Sequence, residues 1–427
     1  MLYIVKPGDT PFAIARLFGV PLRNFLADNG ITAPEALPVG LCVIVREPVR
    51  TYVVREGDTL FSVARRTGVP LVTLWRNNLF LRGNAFLSPG DVLVLETKGE
   101  ARPGVQTGAY VYPFTPSGEL EASMPFLSFV VPFTYGFRPD GTLLPPDDRV
   151  IRNTAAYYGT SVLLHLSTLT ENDVFSVALA EDLFASPEAK EKLADGILAR
   201  LRSGGYYGVD VDFEFLGARN ASAYAEFLSF LHGRLSAEGI PLIAALAPKT
   251  RDGQPGTLYE GHDYAAIGNA VDCVLLMTYE WGYTYGPPQA VSPLGPVRRV
   301  VEYALTRIPA SRVFLGVSNY GYDFALPYVQ GFSKARSLSI EEAILLAGKR
   351  GAVIRYDETA QSPYFEYTEN GVSHIVWFED PRSLTARLSL VREYGLRGAI
   401  YWNFSRPDSQ NLALLGELFA RTDADLL

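Results

Sequence analysis

From residue 109 onward the chain repeats one pattern, in which a short apolar run is followed by a longer amphipathic stretch. The short runs fall near Ala109–Tyr112, Leu127–Thr134, Ser161–Ser167, Val209–Phe215, Leu242–Ala247, Val271–Thr278, Val313–Asn319 and Gly398–Phe404. Runs of this length, rich in Val, Leu and Phe, read as strands covered on both faces. Stretches such as SPEAKEKLADGILARLRSGG, opening with Ser-Pro and stopping at Gly, read as capped helices. Eight strand–helix units over roughly 320 residues suit an α/β chain closed into a (β/α)8 TIM barrel, whose usual length is about 250 residues before insertions. The surplus lies between strands seven and eight. There RGAVIRYDETAQSPYFEYTENGVSHIVWFED alternates and is rich in aromatics, which predicts a small α+β insertion over roughly residues 326–385 on the rim.

The first hundred residues obey a different rule. YIVKPGDTPFAIARLFGVPLRNFLADN, from Tyr3, overlays YVVREGDTLFSVARRTGVPLVTLWRNN, from Tyr52. Each copy predicts strand, helix, helix, strand. Gly8, Asp9 and Thr10, or Gly57, Asp58 and Thr59, end the first strand and cap the helix that follows. Asn29 or Asn78 closes the second helix. Units this small bury little core, so two in tandem without disulfides suggest weak sites used together. The expected divisions are 1–48 and 50–96 for the two modules, 97–108 for a linker carrying Gly and Pro, and 109–427 for the barrel. A chain starting near residue 97 is expected to fold alone.

Composition narrows the class of function. A net charge of −8 without clusters of Lys and Arg argues against nucleic acid as a partner. Cys42 and Cys273 fall in different predicted domains and read as small buried residues, not as a disulfide. The opening MLYIVKPGDT lacks a basic start, an apolar run and a cleavage site, and no stretch reaches eighteen uncharged apolar residues. The expectation is a chain without signal peptide or membrane span, acting as a monomer on a neutral or sugar-like partner. His165, His232, His262 and His374 show no metal-ligand spacing and read as ordinary histidines; neither metal nor cofactor is expected.

Chemistry points to GYYGVDVDFEF, residues 205–215. Strand side chains alternate, so Asp210, Asp212 and Glu214 share the inward face while Val209, Val211 and Phe213 share the other. Glu214, last of the three, lies nearest the carboxyl end of its strand, where barrel enzymes build their sites. Burying carboxylates costs several kcal/mol each unless they are paired or protonated. Their mutual repulsion should raise at least one pKa toward neutrality, as general acid catalysis requires. The alternatives are an ion cluster or a divalent metal site; they are disfavoured because no basic residue lies on the predicted inner faces.

These stretches carry two resemblances. The repeated Y.V..GDT...IA...GV....L...N resembles LysM modules, which implies binding of peptidoglycan or chitin-like glycans containing N-acetylglucosamine. The loops involved would be those after the first strand and before the second, which include the Gly-Asp-Thr triplets and follow Asn29 and Asn78. The first copy has Gly directly after Asn29, so the second is the expected binder. GVDVDFE, LLMTYEWGY, LGVSNYGYDF and RGAIYWNFS resemble the strand-four, -six, -seven and -eight signatures of family 18 glycoside hydrolases. With LysM modules in front, the chain is most similar to cortex-lytic N-acetylglucosaminidases of bacterial spores, which implies deposition in the spore coat or cortex region.

The resemblance implies roles. Glu214 would be general acid and then base. Asp212 would hold the acetamido N–H of the substrate, and Asp210 would fix Asp212. Tyr279 would donate to the acetamido oxygen, and Trp402 would floor the sugar. Glu280, Trp281 and Tyr283, with Tyr285 close by, would touch substrate. A chitinase, or a glycan-binding protein without activity, remain alternatives, although inactive relatives lack the acid that this chain keeps at Glu214. Tyr207 replaces the Asp that usually opens the signature. His165-Leu166-Ser167-Thr168 replaces the usual Ser-x-Gly-Gly after strand three.

Overall fold

The computed structural model of the chain describes residues 1–99, 102–170, 174–406 and 408–427. Eight parallel strands form the barrel: β1 Gly104–Val111, β2 Phe129–Pro132, β3 Ser161–Ser167, β4 Gly208–Asp212, β5 Leu242–Leu246, β6 Cys273–Leu276, β7 Val313–Ser318 and β8 Gly398–Trp402. Each pairs with its neighbour in sequence order, and β8 returns to β1 through Gly398↔Gln106 to Tyr401↔Ala109, which closes the sheet. Alternation then sorts the side chains. Val209 and Val211 are fully buried outward against the helices, while Asp210 and Asp212 face inward. The lower interior is apolar, filled by Phe129, Leu163, Ile243, Leu275, Phe314 and Ile400. At the amino end of the strands Leu426 joins this cluster, and its N–H donates to the Tyr207 hydroxyl over 3.3 Å. Tyr207 therefore lies at the end of β4 opposite Asp212.

Three boundaries differ from the sequence reading. β1 starts at Gly104, inside the stretch read as linker, of which Glu100 and Ala101 lie outside the described residues. Gly108 misled that reading; it is a strand residue whose missing side chain admits the Phe129 ring. β4 stops at Asp212, so Glu214 stands in the turn beyond it. The rim insertion begins at Tyr320, where a strand Tyr320–Leu326 follows β7 almost without break and starts a five-stranded sheet. Only Asn319 separates the two strands, so the change of direction leaves no gap in the sequence.

The two amino-terminal modules have the expected order: strand Leu2–Ile4, helices Pro11–Leu17 and Leu22–Asp28, strand Cys42–Ile44; then strand Pro48–Val53, helices Leu60–Thr67 and Leu71–Asn77, strand Val92–Thr97. They do not hang from a linker. Val5, Ile14, Phe25, Leu41 and Val43 of the first module share one buried cluster with Leu338, Ile340, Ile344, Ile354 and Phe365 of the insertion. Two glycines permit the approach. A side chain at Gly40 would strike the Ile354 carbonyl, and one at Gly348 would strike the carbonyl of Ala36. Polar contacts reinforce it: Ile354 N–H donates to Val39 O over 2.9 Å, and the Gln410 amide donates to Cys42 O over 2.8 Å. Arg46 and Asp28 form an ion pair of 2.6 Å, both side chains buried, and Arg46 also caps the carbonyl of Arg76 in the second module. That module meets the barrel through Trp75, edge-on to Tyr158 at 5.9 Å, and through Arg82 on Glu119.

Each Leu, Ile or Phe uncovered by removing a module loses about 1.5–3 kcal/mol of burial. A chain starting near residue 97 is thus expected to aggregate or to melt well below the full chain, contrary to the sequence expectation. Within the full chain, Gly40→Val meets both a positive φ of 84° and the Ile354 carbonyl. It should cost about 2 kcal/mol or more in denaturant unfolding.

Candidate active site

Above the apolar interior, at the carboxyl ends of the strands, a cavity of about 200 Å³ is lined by Asp212, Glu214, Tyr279, Glu280 and Trp402. Each arrives by a separate local device. Phe213, wholly buried between the rings of Tyr224 and Phe227 at 5.6 Å, pins the outer side of the turn after β4 and so turns Glu214 inward. Behind it, His262 accepts from the Ala247 N–H and therefore donates through Nε2 to Phe213 O over 3.0 Å. Burial pushes the His262 pKa down to about 4, which keeps the ring neutral in that role. Phe215 (φ 59°) and Glu280 (φ 65°) follow Glu214 and Tyr279 in left-handed backbone, a conformation that costs a non-glycine residue about 1–3 kcal/mol. Tyr279 owes its place to Gly316 on β7, where a Cβ would come within 2.9 Å of its ring.

The electrostatics follow from burial. Asp210 is 1% exposed, and its Oδ2 accepts from the Tyr110 hydroxyl at 2.8 Å and lies 2.7 Å from His165 Nδ1. Asp212 has no such partner, and its Oδ1 is buried without a hydrogen bond among the described residues. Burial pushes its pKa up to about 7; the His165 ring opposes this and the charge of Asp210 adds to it. Glu214 is held well above the usual carboxylate range, first by burial, then by the charges of Asp212 and Glu280. Glu280 is raised by burial, against hydrogen bonds donated by Tyr320 and Tyr322. Tyr279 is raised well above its ordinary value by burial and the surrounding carboxylates, so its hydroxyl stays a donor. The arrangement thus offers a protonated acid, a carboxylate near its midpoint and a phenol donor around one apolar floor. Trp402 is that floor, held by edge contacts with Phe133 at 4.9 Å, Tyr110 at 5.4 Å and Tyr112 at 6.0 Å.

Several sequence expectations need correction. His165, read as ordinary, is the residue in ladder register with Asp210 and touches its carboxylate. Asp210 is hydrogen-bonded to Tyr110 and His165, and no hydrogen bond joins it to Asp212 in this arrangement. Trp281 packs against the barrel's outer core rather than lining the cavity, because the backbone after Glu280 turns away to pair Trp281 and Gly282 with Val291 and Ala290. Tyr283 and Tyr285 are exposed on that loop. Tyr259 lines the cavity and was missed, as was Tyr110; inward parity along β1 was the available signal for Tyr110. In the modules, the motif residues serve the fold. Asp9 and Asp58 accept from the backbone of Lys6 and Arg55, and Thr10 and Thr59 cap helices. Asn29 and Asn78 are fully buried, stitching the second helix of each module to its last strand. Gly8 and Gly57 supply positive φ in the preceding turns. The asparagines also reach beyond their modules, Asn29 Oδ1 accepting from Gln410 over 3.2 Å and Asn78 Oδ1 from Asn24 of the first module over 3.0 Å.

A closed barrel with a raised acid beside a second buried carboxylate, above an aromatic floor, defines a glycoside hydrolase. The family model "Glycosyl hydrolases family 18" matches residues 149–406, and the LysM domain model matches residues 3–45 and 52–96. The chain belongs to glycosyl hydrolases family 18. It is 39% identical over 426 residues to the cortical fragment-lytic enzyme of Bacillus subtilis, covering 98% of both chains. The crystal structure of the Bacillus cereus spore cortex-lytic enzyme SleL matches with a TM-score of 0.83 at 36% identity, over 99% of this chain and 98% of that one. A chitinase from Chromobacterium violaceum shares the fold, with a TM-score of 0.68 at 22% identity over 74% of this chain and all of the other. LysM and family 18 domains together imply a glycan containing N-acetylglucosamine.

A proton donor at Glu214 would lose activity as pH rises through its elevated pKa. Replacing Asp212 by Asn removes a like charge and lowers that pKa. The alkaline limb of the residual kcat/KM profile is expected to move to lower pH, as a pH–rate series on both proteins would register.

Proposed function

We propose that this enzyme hydrolyses the β-1,4 bond after N-acetylglucosamine in spore cortex peptidoglycan, with retention of configuration and with the substrate's own acetamido group as nucleophile. The observation that carries this reading is the buried, unpartnered Oδ1 of Asp212 in the cavity that holds the protonated Glu214. An acceptor left bare in an apolar cavity is costly unless a ligand N–H meets it. The acetamido N–H of the sugar over Trp402 supplies that donor, while the Tyr279 hydroxyl donates to the acetamido oxygen.

In the first step Glu214 gives its proton to the glycosidic oxygen as the acetamido oxygen attacks the anomeric carbon. The bond to the leaving sugar breaks, and a cyclic oxazolinium ion forms. Asp212, ionised and close to the ring nitrogen, stabilises its positive charge. Water then attacks the anomeric carbon from the vacated side, Glu214 takes its proton, and the ring opens to N-acetylglucosamine. Family 18 is the kind of retaining glycosidase that dispenses with a second carboxylate nucleophile in this way. Asp210, held by Tyr110 and His165, lies close enough to Asp212 to raise its pKa. The names of the relatives, cortex-lytic and cortical fragment-lytic, support cortex over chitin as substrate and the spore cortex as the site of action.

Glu214→Gln should leave the unfolding midpoint near that of the parent and lower kcat by at least about a thousandfold, because an amide cannot donate the proton. A thiazoline analogue of the cyclic ion should inhibit competitively, far more tightly than N-acetylglucosamine. Asp212→Asn should cost the thiazoline about 2–3 kcal/mol of binding while hardly affecting a neutral product. A sugar found attached covalently to Asp210 or Asp212 by mass spectrometry would refute the mechanism and leave the hydrolase standing.

A further inference from the structure

The catalytic cavity is the first of three that share walls. Trp402 and Glu280 also line a second cavity, of about 420 Å³. There Phe114, 78% exposed, stacks on Tyr112 at 4.9 Å and 10°. Asn319, 1% exposed, also lines this second cavity, and its Nδ2 has no hydrogen-bond partner among the described residues. Ser337, Ser405 and Arg406 pass from the second cavity into a third, of about 490 Å³, whose far wall includes Thr32 of the first LysM module. Beyond Thr32 the space shrinks to about 10 Å³, because the module's second loop lies against the helix Ile340–Arg350. On the side that faces this helix the loop expected to hold glycan in the first module is therefore closed, and it meets the third cavity at Thr32.

We propose that the three cavities are one glycan track, and that the first module is its distal wall: Thr32 holds a remote sugar of the same strand that is cut at Glu214. This rests on the hydrolase reading above. The chemistry of the lining suits a chain of N-acetylated sugars. The exposed Phe114, backed by the half-buried Tyr112, offers a flat face to a pyranose ring, and the bare Asn319 amide N–H offers a donor to a hydroxyl or acetamido oxygen. Ser337, Ser405 and Arg406 continue the polar lining. Glu341 and Glu342 line the third cavity, so the segment over them is uncharged. Glu214 lines the first cavity and neither of the others, so the track leads away from the acid and holds the part of the strand that keeps the new reducing end. The module thus acts inside the substrate cleft, and the shared core with the insertion is what fixes Thr32 in line with Trp402.

The test is kcat/KM for spore-cortex glycan fragments of increasing length, with the full chain, Thr32→Trp and Arg406→Ala. Both residues are exposed, so neither change disturbs the core. In the wild type kcat/KM should go on rising with length after the first two cavities are filled, since remote binding energy is used at the reacting bond. Thr32→Trp blocks the far end and Arg406→Ala removes the middle; each should lower the ratio of long-chain to short-chain kcat/KM by about tenfold. A wild type that cuts both lengths with a ratio untouched by Thr32→Trp overturns this inference alone. A wild type that cuts neither overturns the proposed function and this inference with it.

Discussion

The structure turns on how an apolar barrel tolerates three neighbouring carboxylates. Asp210 is met by a phenol and an imidazole, Tyr110 and His165, from strands on the same side of the barrel. That leaves Asp212 and Glu214 buried in the cavity, with the His165 ring opposing the rise in the Asp212 pKa and Asp210 adding to it. Neither can ionise cheaply, and both cannot ionise together. A pair forced to share a proton near neutrality is what acid catalysis followed by base catalysis needs. The pKa values are therefore a product of burial first and of neighbouring charge second. The apolar residues that surround the site, Phe133 and Trp402 among them, are as much part of the chemistry as the acids.

Holding such a site demands rigidity around it, and the surroundings supply it by stacking. Phe213 is clamped between two rings, Trp402 is wedged by three, and the carbonyl before Glu214 is tied by a neutral histidine. Left-handed backbone at Phe215 and Glu280 persists because those clamps outweigh its cost.

The same logic of shared burial joins the modules to the barrel. Two small units with little core of their own would be marginal alone; here the first borrows the insertion's helix and sheet, and the second leans on Trp75 and Arg82. The result packs the first LysM module against the insertion instead of tethering it at a distance. A linker would leave the module's orientation free; a shared core fixes it.

Much was legible in the sequence because period encodes it. Alternation in GVDVDFE put three acids on one face, the eightfold rhythm of strand and helix required a closed barrel, and the overlay of residues 3–29 on 52–78 required a duplicated unit. What the sequence could not carry was partnership across strands and across domains. His165 lies 45 positions from Asp210 and meets it only because β3 and β4 lie side by side in register. Trp281 looked like a sugar platform, but the loop's pairing with Val291 turned it to the outer core. Asn29 and Asn78 looked like binders, yet three hydrogen bonds each inside their own modules occupy them. Gly40 reads locally as the glycine of a Pro-x-Gly turn and Gly348 as an ordinary helix position; neither announces the close contact it allows. Local pattern determines which elements form and which face each side chain takes, since those depend on neighbours two to four positions away. Which faces meet depends on complementarity between surfaces far apart in the chain, and only the folded structure decides that.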